Sequence, residues 1–209
     1  MPLRWKVCGI TEEAGARAAV DAGADAIGFV FYPPSPRSVS VDRAASIARH
    51  LPDETWRFGV FVDPDPIEIA AIVDRVGVDF VQLSGDESPE MPSCLPRHAF
   101  KALRLDDQTT GEQAMQLADR YPDCSLLIDA AVAGAYGGTG LQANWSAAAA
   151  LAQRQRIMLA GGLTPQTVAA AVEQVGPWAV DVSSGVESRP GHKDPQLICA
   201  FARALEPFR

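Results

Sequence analysis

The chain has 209 residues, 47% of them hydrophobic, which suits a single domain over 1–209 with a sizeable core and excludes a disordered tract. Its net charge of -8 opposes non-specific nucleic-acid binding, so an anionic ligand has to be held by local groups. No apolar run reaches the ~20 residues of a membrane helix, the start Met1–Lys6 lacks a signal-peptide layout, and four cysteines without C-x-x-C spacing read as reduced thiols of a cytoplasmic protein.

The first strand pattern is Leu3–Cys8. Strands alternate faces, so Lys6 and Cys8 point the same way. If that way is inward, Lys6 lies one layer below the thiol and can stabilise a thiolate; the plainer alternative is a buried cysteine acting as a small hydrophobe. Thr11-Glu12-Glu13 places a cap and two acids at a helix start. After Gly23 comes a strand at Ala26–Val30, then the loop Phe31–Ser38. Its three prolines fix where Arg37 lands, and arginine suits bidentate recognition of a carboxylate. An ordinary solvated arginine is the alternative. Arg57–Phe61 is a third strand, and Asp65-Pro66 a capped helix start. Phe80–Leu83 follows, with Gln82 and Ser84 at its end. Ser84–Arg97 is a weak, proline-broken connection to a strand at Ala99–Leu103.

Ser125–Asp129 is an apolar strand that ends in an acid. A carboxylate there is costly unless solvated, paired or functional; a helix cap or loop ion pair is the alternative. Ala130–Tyr136 and Gly137-Gly138-Thr139-Gly140 read as a glycine-rich lid that adds N–H groups to an anion site. Ile157–Ala160 stops at Gly161-Gly162 and passes to a capped helix start at Thr164-Pro165. Ala179–Val182 stops at Ser183-Ser184-Gly185. Two such turns on neighbouring strands make a phosphate cradle, because small residues let backbone N–H groups approach a ligand. Asp194-Pro195 starts a last helix, in which Ile198, Phe201, Ala202 and Leu205 pack on the barrel and Cys199 is expected to be buried with them.

The turn glycines at 23, 77 and 176 are 54 and 99 residues apart, which divides into units of about 25 residues, the size of one βα unit. Eight such units predict an α/β fold, a (β/α)8 TIM barrel of parallel strands. Residues at the C-terminal strand ends then face the active site. The three histidines make no metal-ligand spacing, and neither a dinucleotide fingerprint nor a nucleophile elbow is present.

These motifs together resemble the phosphoribosylanthranilate isomerase family of tryptophan biosynthesis. The matching segments are Lys6–Thr11, Gly28–Tyr32 with Ser35–Arg37, Val81–Leu83 with Gly85–Glu87, Asp129 with Gly137–Gly140, Leu159–Leu163, and Asp181–Glu187 with Pro190-Gly191 and Lys193-Asp194. They run in order through essentially the whole chain. Two departures stand out: Ser84 where the family usually has His, and Leu141-Gln142-Ala143-Asn144 where it usually has a Lys and an Asp before the tryptophan. The resemblance implies an Amadori rearrangement of N-(5-phosphoribosyl)anthranilate by acid–base catalysis, without cofactor or metal. It implies Asp129 as the acid, Cys8 as the base, Arg37 on the anthranilate carboxylate, Gln82 and Asp181 as further substrate contacts, and Gly138, Gly161, Gly162, Ser183 and Ser184 around the phosphate. It leaves monomer and homodimer both open. The related histidine-pathway ribonucleotide isomerase uses an acid at the first strand end, where Cys8 stands here. A ligand-binding barrel without turnover is the reading from a different class.

Overall fold

The computed structural model describes residues 2–130 and 144–209. Eight parallel strands close into a barrel in sequence order, β1 to β8, with β1 (Arg4–Cys8) paired to both β2 (Ala26–Val30) and β8 (Ala179–Val182). Between them lie β3 (Trp56–Phe61), β4 (Phe80–Leu83), β5 (Ala99–Leu105), β6 (Ser125–Ala130) and β7 (Ile157–Leu159). Each expected strand is present, with ends shifted by two residues at most.

Helices α1 (Glu13–Asp21), α2 (Val41–Ala48), α3 (Pro66–Val76), α4 (Gly111–Ala118), α5 (Trp145–Arg154), α6 (Val168–Val175) and α7 (Pro195–Leu205) cover the outside. The strand period of two separates two cores. Trp5, Val7, Ile27, Phe29, Val81 and Leu83 face the helices. Ala26, Phe58, Phe100, Leu127, Met158 and Ala179 fill the barrel interior, the packed layers that this fold requires. Lys6, only 1% exposed, stands on the interior face of β1 beside the Phe58 ring.

Turn chemistry explains most boundaries. Gly77 and Gly176 cap α3 and α6 in the left-handed region, at φ 75° and 63°, and Gly23 adopts φ 82° just after α1. The Asp65 and Asp194 carboxylates accept from the first-turn N–H groups of α3 and α7. The proline-broken connection from β4 to β5 holds one short 3-10 turn, Met91–Cys94.

Four expectations need correction. Thr164-Pro165 opens a separate turn, closed by Thr167 N–H on the Thr164 carbonyl at 3.1 Å, and α6 starts only at Val168. The Thr11 hydroxyl donates to the Gly191 carbonyl at 2.6 Å and does not cap α1. Cys199 is exposed, because one helical residue step from Ile198 turns it away from the stripe that Ile198, Phe201 and Leu205 bury. The stretch between Ser183 and the last helix, for which no strand was expected, contains a β-hairpin of β9 (Glu187–Arg189) and β10 (His192–Lys193). Strands this short leave no periodic signal.

Candidate active site

At the C-terminal end of the barrel, one cleft is lined by every described residue expected at the site: Cys8, Arg37, Gln82, Asp129, Gly161, Gly162, Asp181, Ser183 and Ser184. Gly138 lies outside the described residues, as does the rest of the expected lid from 131 to 143. The cleft opens to solvent at the strand ends. Val30, Val60, Leu127 and Ala160 add apolar floor, and Tyr32 and Ser35 add the wall that bears Arg37.

Below the cleft, Lys6 Nζ donates to Gln82 Oε1 at 3.0 Å and to Asp181 Oδ2 at 2.7 Å. Gln82 Nε2 in turn donates to Ser84 Oγ at 3.1 Å, so the serine that replaces the family's histidine still receives the glutamine. Asp181 Oδ1 is buried and has no hydrogen-bond partner among the described residues. An unmet acceptor that lines a cleft is a place for a ligand donor. Burial pulls the Lys6 ammonium down, but Asp181 and Cys8 outweigh it and the net direction is up. Burial also pushes the Asp181 carboxyl up, beyond what Lys6 and Lys193 draw back.

Cys8 is buried at the edge of this network, and a Cβ on Gly28 would come within 2.8 Å of its sulfur and 3.0 Å of Lys6 Cε. Glycine on β2 therefore makes the room in which thiol and ammonium stand together. Lys6 and Lys193 pull the thiol toward ionisation, as expected of Lys6, but burial is larger and Asp181 adds to it. The net direction is above the ordinary thiol value. Cys124, away from this cleft, is also pushed up by burial, to about 11.

Gly161 and Gly162 both adopt positive φ, 83° and 65°, a pair of left-handed residues in which a side chain is strained. Ser183 Oγ donates to the Cys8 carbonyl at 3.0 Å and so joins the turn after β8 to the end of β1. The sequence did not single out two charged residues behind this turn. Lys193 Nζ donates to the Ser183 carbonyl at 3.0 Å and to Glu187 at 2.7 Å. Glu187 also accepts a bidentate pair from Arg37. Both residues sit in the unrecognised hairpin; their signals in the sequence were the matching segments Asp181–Glu187 and Lys193-Asp194 and the clustering of charge between Glu187 and Asp194.

The other strand-end charges serve structure. Arg104 pairs with Asp86, and Asp63, with φ 47°, accepts from Asp86 N at 2.6 Å. Asn144 caps α5 through Ala147 N at 3.0 Å and ties it to the Asp106 and Thr109 carbonyls. The asparagine that departs from the family pattern is thus a helix cap.

The family model for N-(5'phosphoribosyl)anthranilate isomerase matches residues 5–204. The chain belongs to this family. An N-(5'-phosphoribosyl)anthranilate isomerase of Pelobacter propionicus is 45% identical over 207 residues, covering 99% of this chain and 97% of its own. The crystal structure of phosphoribosyl anthranilate isomerase from Thermotoga maritima superposes with a TM-score of 0.88 at 36% identity, covering 98% and 99% of the two chains. A family structure in complex with reduced 1-(o-carboxyphenylamino)-1-deoxyribulose 5-phosphate superposes with a TM-score of 0.85 at 35% identity, covering 98% and 99%.

Proposed function

We propose that the chain isomerises N-(5-phosphoribosyl)anthranilate to 1-(2-carboxyphenylamino)-1-deoxyribulose 5-phosphate, the family's step in tryptophan biosynthesis, with Asp129 as acid and Cys8 as base. One observation carries this reading: the thiol and the acid line the same strand-end cleft as the turns at Gly161-Gly162 and Ser183-Ser184.

Asp129 gives a proton to the ribose ring oxygen while the bond from that oxygen to C1 breaks. The anthranilate nitrogen lone pair forms a C1=N double bond, and the nitrogen becomes cationic. Cys8, as thiolate, removes the proton from C2, and the C2–H electrons form the C1=C2 bond of an enolamine. The thiol returns a proton to C1, and the C2 hydroxyl loses its proton to leave the ketone at C2. Burial keeps Cys8 a thiol in the free cleft. The iminium carbon C1 is bonded directly to C2, whose proton Cys8 must take, so the thiolate is stabilised at the step that needs it. Asp181, held by Lys6, accepts a ribose hydroxyl on its open oxygen, and Gln82 packs beside it. Arg37 receives the anthranilate carboxylate. The phosphate rests on backbone N–H groups of the two turns, to which the family resemblance adds Gly138, and Lys193 stands behind Ser183.

The partner is a small phosphorylated molecule, not a nucleic acid, which the net charge of -8 disfavours. No described helix is long and apolar enough to cross a membrane. A cytoplasmic location accords with four free cysteines. The test is turnover: the purified protein converts N-(5-phosphoribosyl)anthranilate with loss of anthranilate fluorescence. Binding without fluorescence loss contradicts the proposal and favours a barrel that holds phosphorylated ligands without turnover.

A further inference from the structure

Arg37 faces the cleft on one side and a carboxylate on the other. Its Nε and one terminal nitrogen donate to the two Glu187 oxygens at 2.9 and 2.8 Å, and neither side chain is more than 10% exposed. A guanidinium offers two bidentate edges. Glu187 takes the edge that includes Nε, and the planarity of the group turns the other edge away from it.

Glu187 is itself held. Lys193, its cross-strand partner in the β9–β10 hairpin, donates to it at 2.7 Å and reaches the Ser183 carbonyl at 3.0 Å. On the opposite side the hairpin turn lies under the Arg37 loop, where a Cβ on Gly191 would come within 3.0 Å of the Pro36 carbonyl. The arginine stem is pressed against the turn after β1: a Cβ on Gly9 would stand 2.7 Å from Arg37 Cδ. One hairpin therefore grips the loop that carries Arg37 and the turn that carries Ser183.

We infer that Glu187 is a positioning residue for substrate specificity: it orients Arg37 and fixes its distance from the turn at Ser183, so that the cleft selects ligands bearing an aryl carboxylate at one end and a phosphate at the other. The inference rests on the reading of Arg37 as the carboxylate receptor. Burial alone would raise the Glu187 carboxyl, but Arg37 and Lys193 outweigh burial and hold it below the ordinary value, so it stays ionised. An arginine already ordered loses little further freedom when a ligand arrives. Without Glu187 the ligand has to order it, and the loss falls on binding of the carboxylate and leaves the chemical step alone.

The test compares two ligands, the reduced product analogue and its phenyl counterpart without the carboxylate, on wild type, Arg37→Ala, Glu187→Gln and Glu187→Asp. The ratio of the two dissociation constants cancels any change at the phosphate end transmitted through Lys193. Wild type is expected to prefer the carboxylate, Arg37→Ala to lose that preference, and Glu187→Gln to reduce it about tenfold while kcat changes little. Glu187→Asp keeps the charge at a shorter reach, and its ratio falls between wild type and Glu187→Gln. Should Glu187→Gln fail to melt cooperatively, Glu187→Asp decides by the same ratio. A preference lost in Arg37→Ala but kept in the Glu187 variants, or strengthened in them, overturns the positioning role alone. A wild type indifferent to the carboxylate overturns the Arg37 reading and this inference with it.

Discussion

Cys8 stands between a buried cation that favours its thiolate and a burial that opposes it, and burial is the larger. The sign for thiol reactivity follows. Burial holds the Cys8 value in the free protein above that of an ordinary thiol, so the rate of Cys8 alkylation rises with pH through and beyond that ordinary value. A pH profile that is already flat around neutrality contradicts this. Cys8→Ser and Asp129→Asn should each lower kcat by roughly two orders of magnitude or more, the usual worth of a general base or acid, while the reduced product analogue still binds. Near-normal turnover in either variant removes that residue from the chemistry. Arg37→Ala acts differently and should raise KM by the equivalent of about 1.5–3 kcal/mol, as expected when a charged hydrogen-bonding group is lost. The two catalytic candidates were legible because each ends an apolar strand. The burial that dominates Cys8 was not legible, since it depends on Gly28 and Asp181 arriving from β2 and β8.

Among the elements, the turn after β7 gives the sharpest expectation. Gly162 sits at φ 65°, where a β-branched residue is strained, so Gly162→Val should weaken inorganic phosphate and substrate together in a protein that still folds. Unchanged phosphate affinity rules out this turn as the anchor. The β9–β10 hairpin has its own pH signature. Glu187 is held below the ordinary glutamate value, so its contribution to stability is full above the unfolded value of about 4.3 and fades as pH falls through the lower folded value. The melting difference between wild type and Glu187→Gln should be largest near neutrality and close in acid; a difference independent of pH contradicts the ion-pair account. Apolar periodicity made the strands readable, and the Asp-Pro caps marked two helix starts. Thr164-Pro165 offered the same pairing of a capping side chain with proline, but its bonds close a turn with Thr167 and delay the helix to Val168. The hairpin, with strands of three and two residues, was invisible to any periodicity.

Over the whole molecule, the glycine spacing was enough to count eight units, because Gly23, Gly77 and Gly176 each take a left-handed turn after a helix, at the same point of their βα units. The same reading missed an ion pair inside the fold. Lys101 on β5 donates to Glu87 at 2.6 Å and to the Gly85 carbonyl at 2.7 Å, with both charged side chains at most 4% exposed, and Tyr121 seals the loop by donating to the Glu87 carbonyl. Partners at 87 and 101 meet only once β4 and β5 are paired. Lys101→Met leaves the buried Glu87 carboxylate without its cation, held by the Asp63 and Gly85 N–H groups, which costs on the order of 3–5 kcal/mol and, in a domain this size, lowers Tm by roughly 10 °C. Calorimetry would detect it, and a shift within a degree or two would mean the pair adds nothing to stability.

The claim on which the account turns is that chemistry happens at Cys8 in the strand-end cleft. Limiting alkylation with iodoacetamide, followed by peptide mapping, addresses it directly. Modification of Cys8 should track loss of activity, and the reduced product analogue or phosphate should slow both by the same factor, whereas exposed Cys94 and Cys199 label at the same rate with or without ligand. Activity lost while Cys8 remains unmodified, or full activity with Cys8 alkylated, contradicts the account.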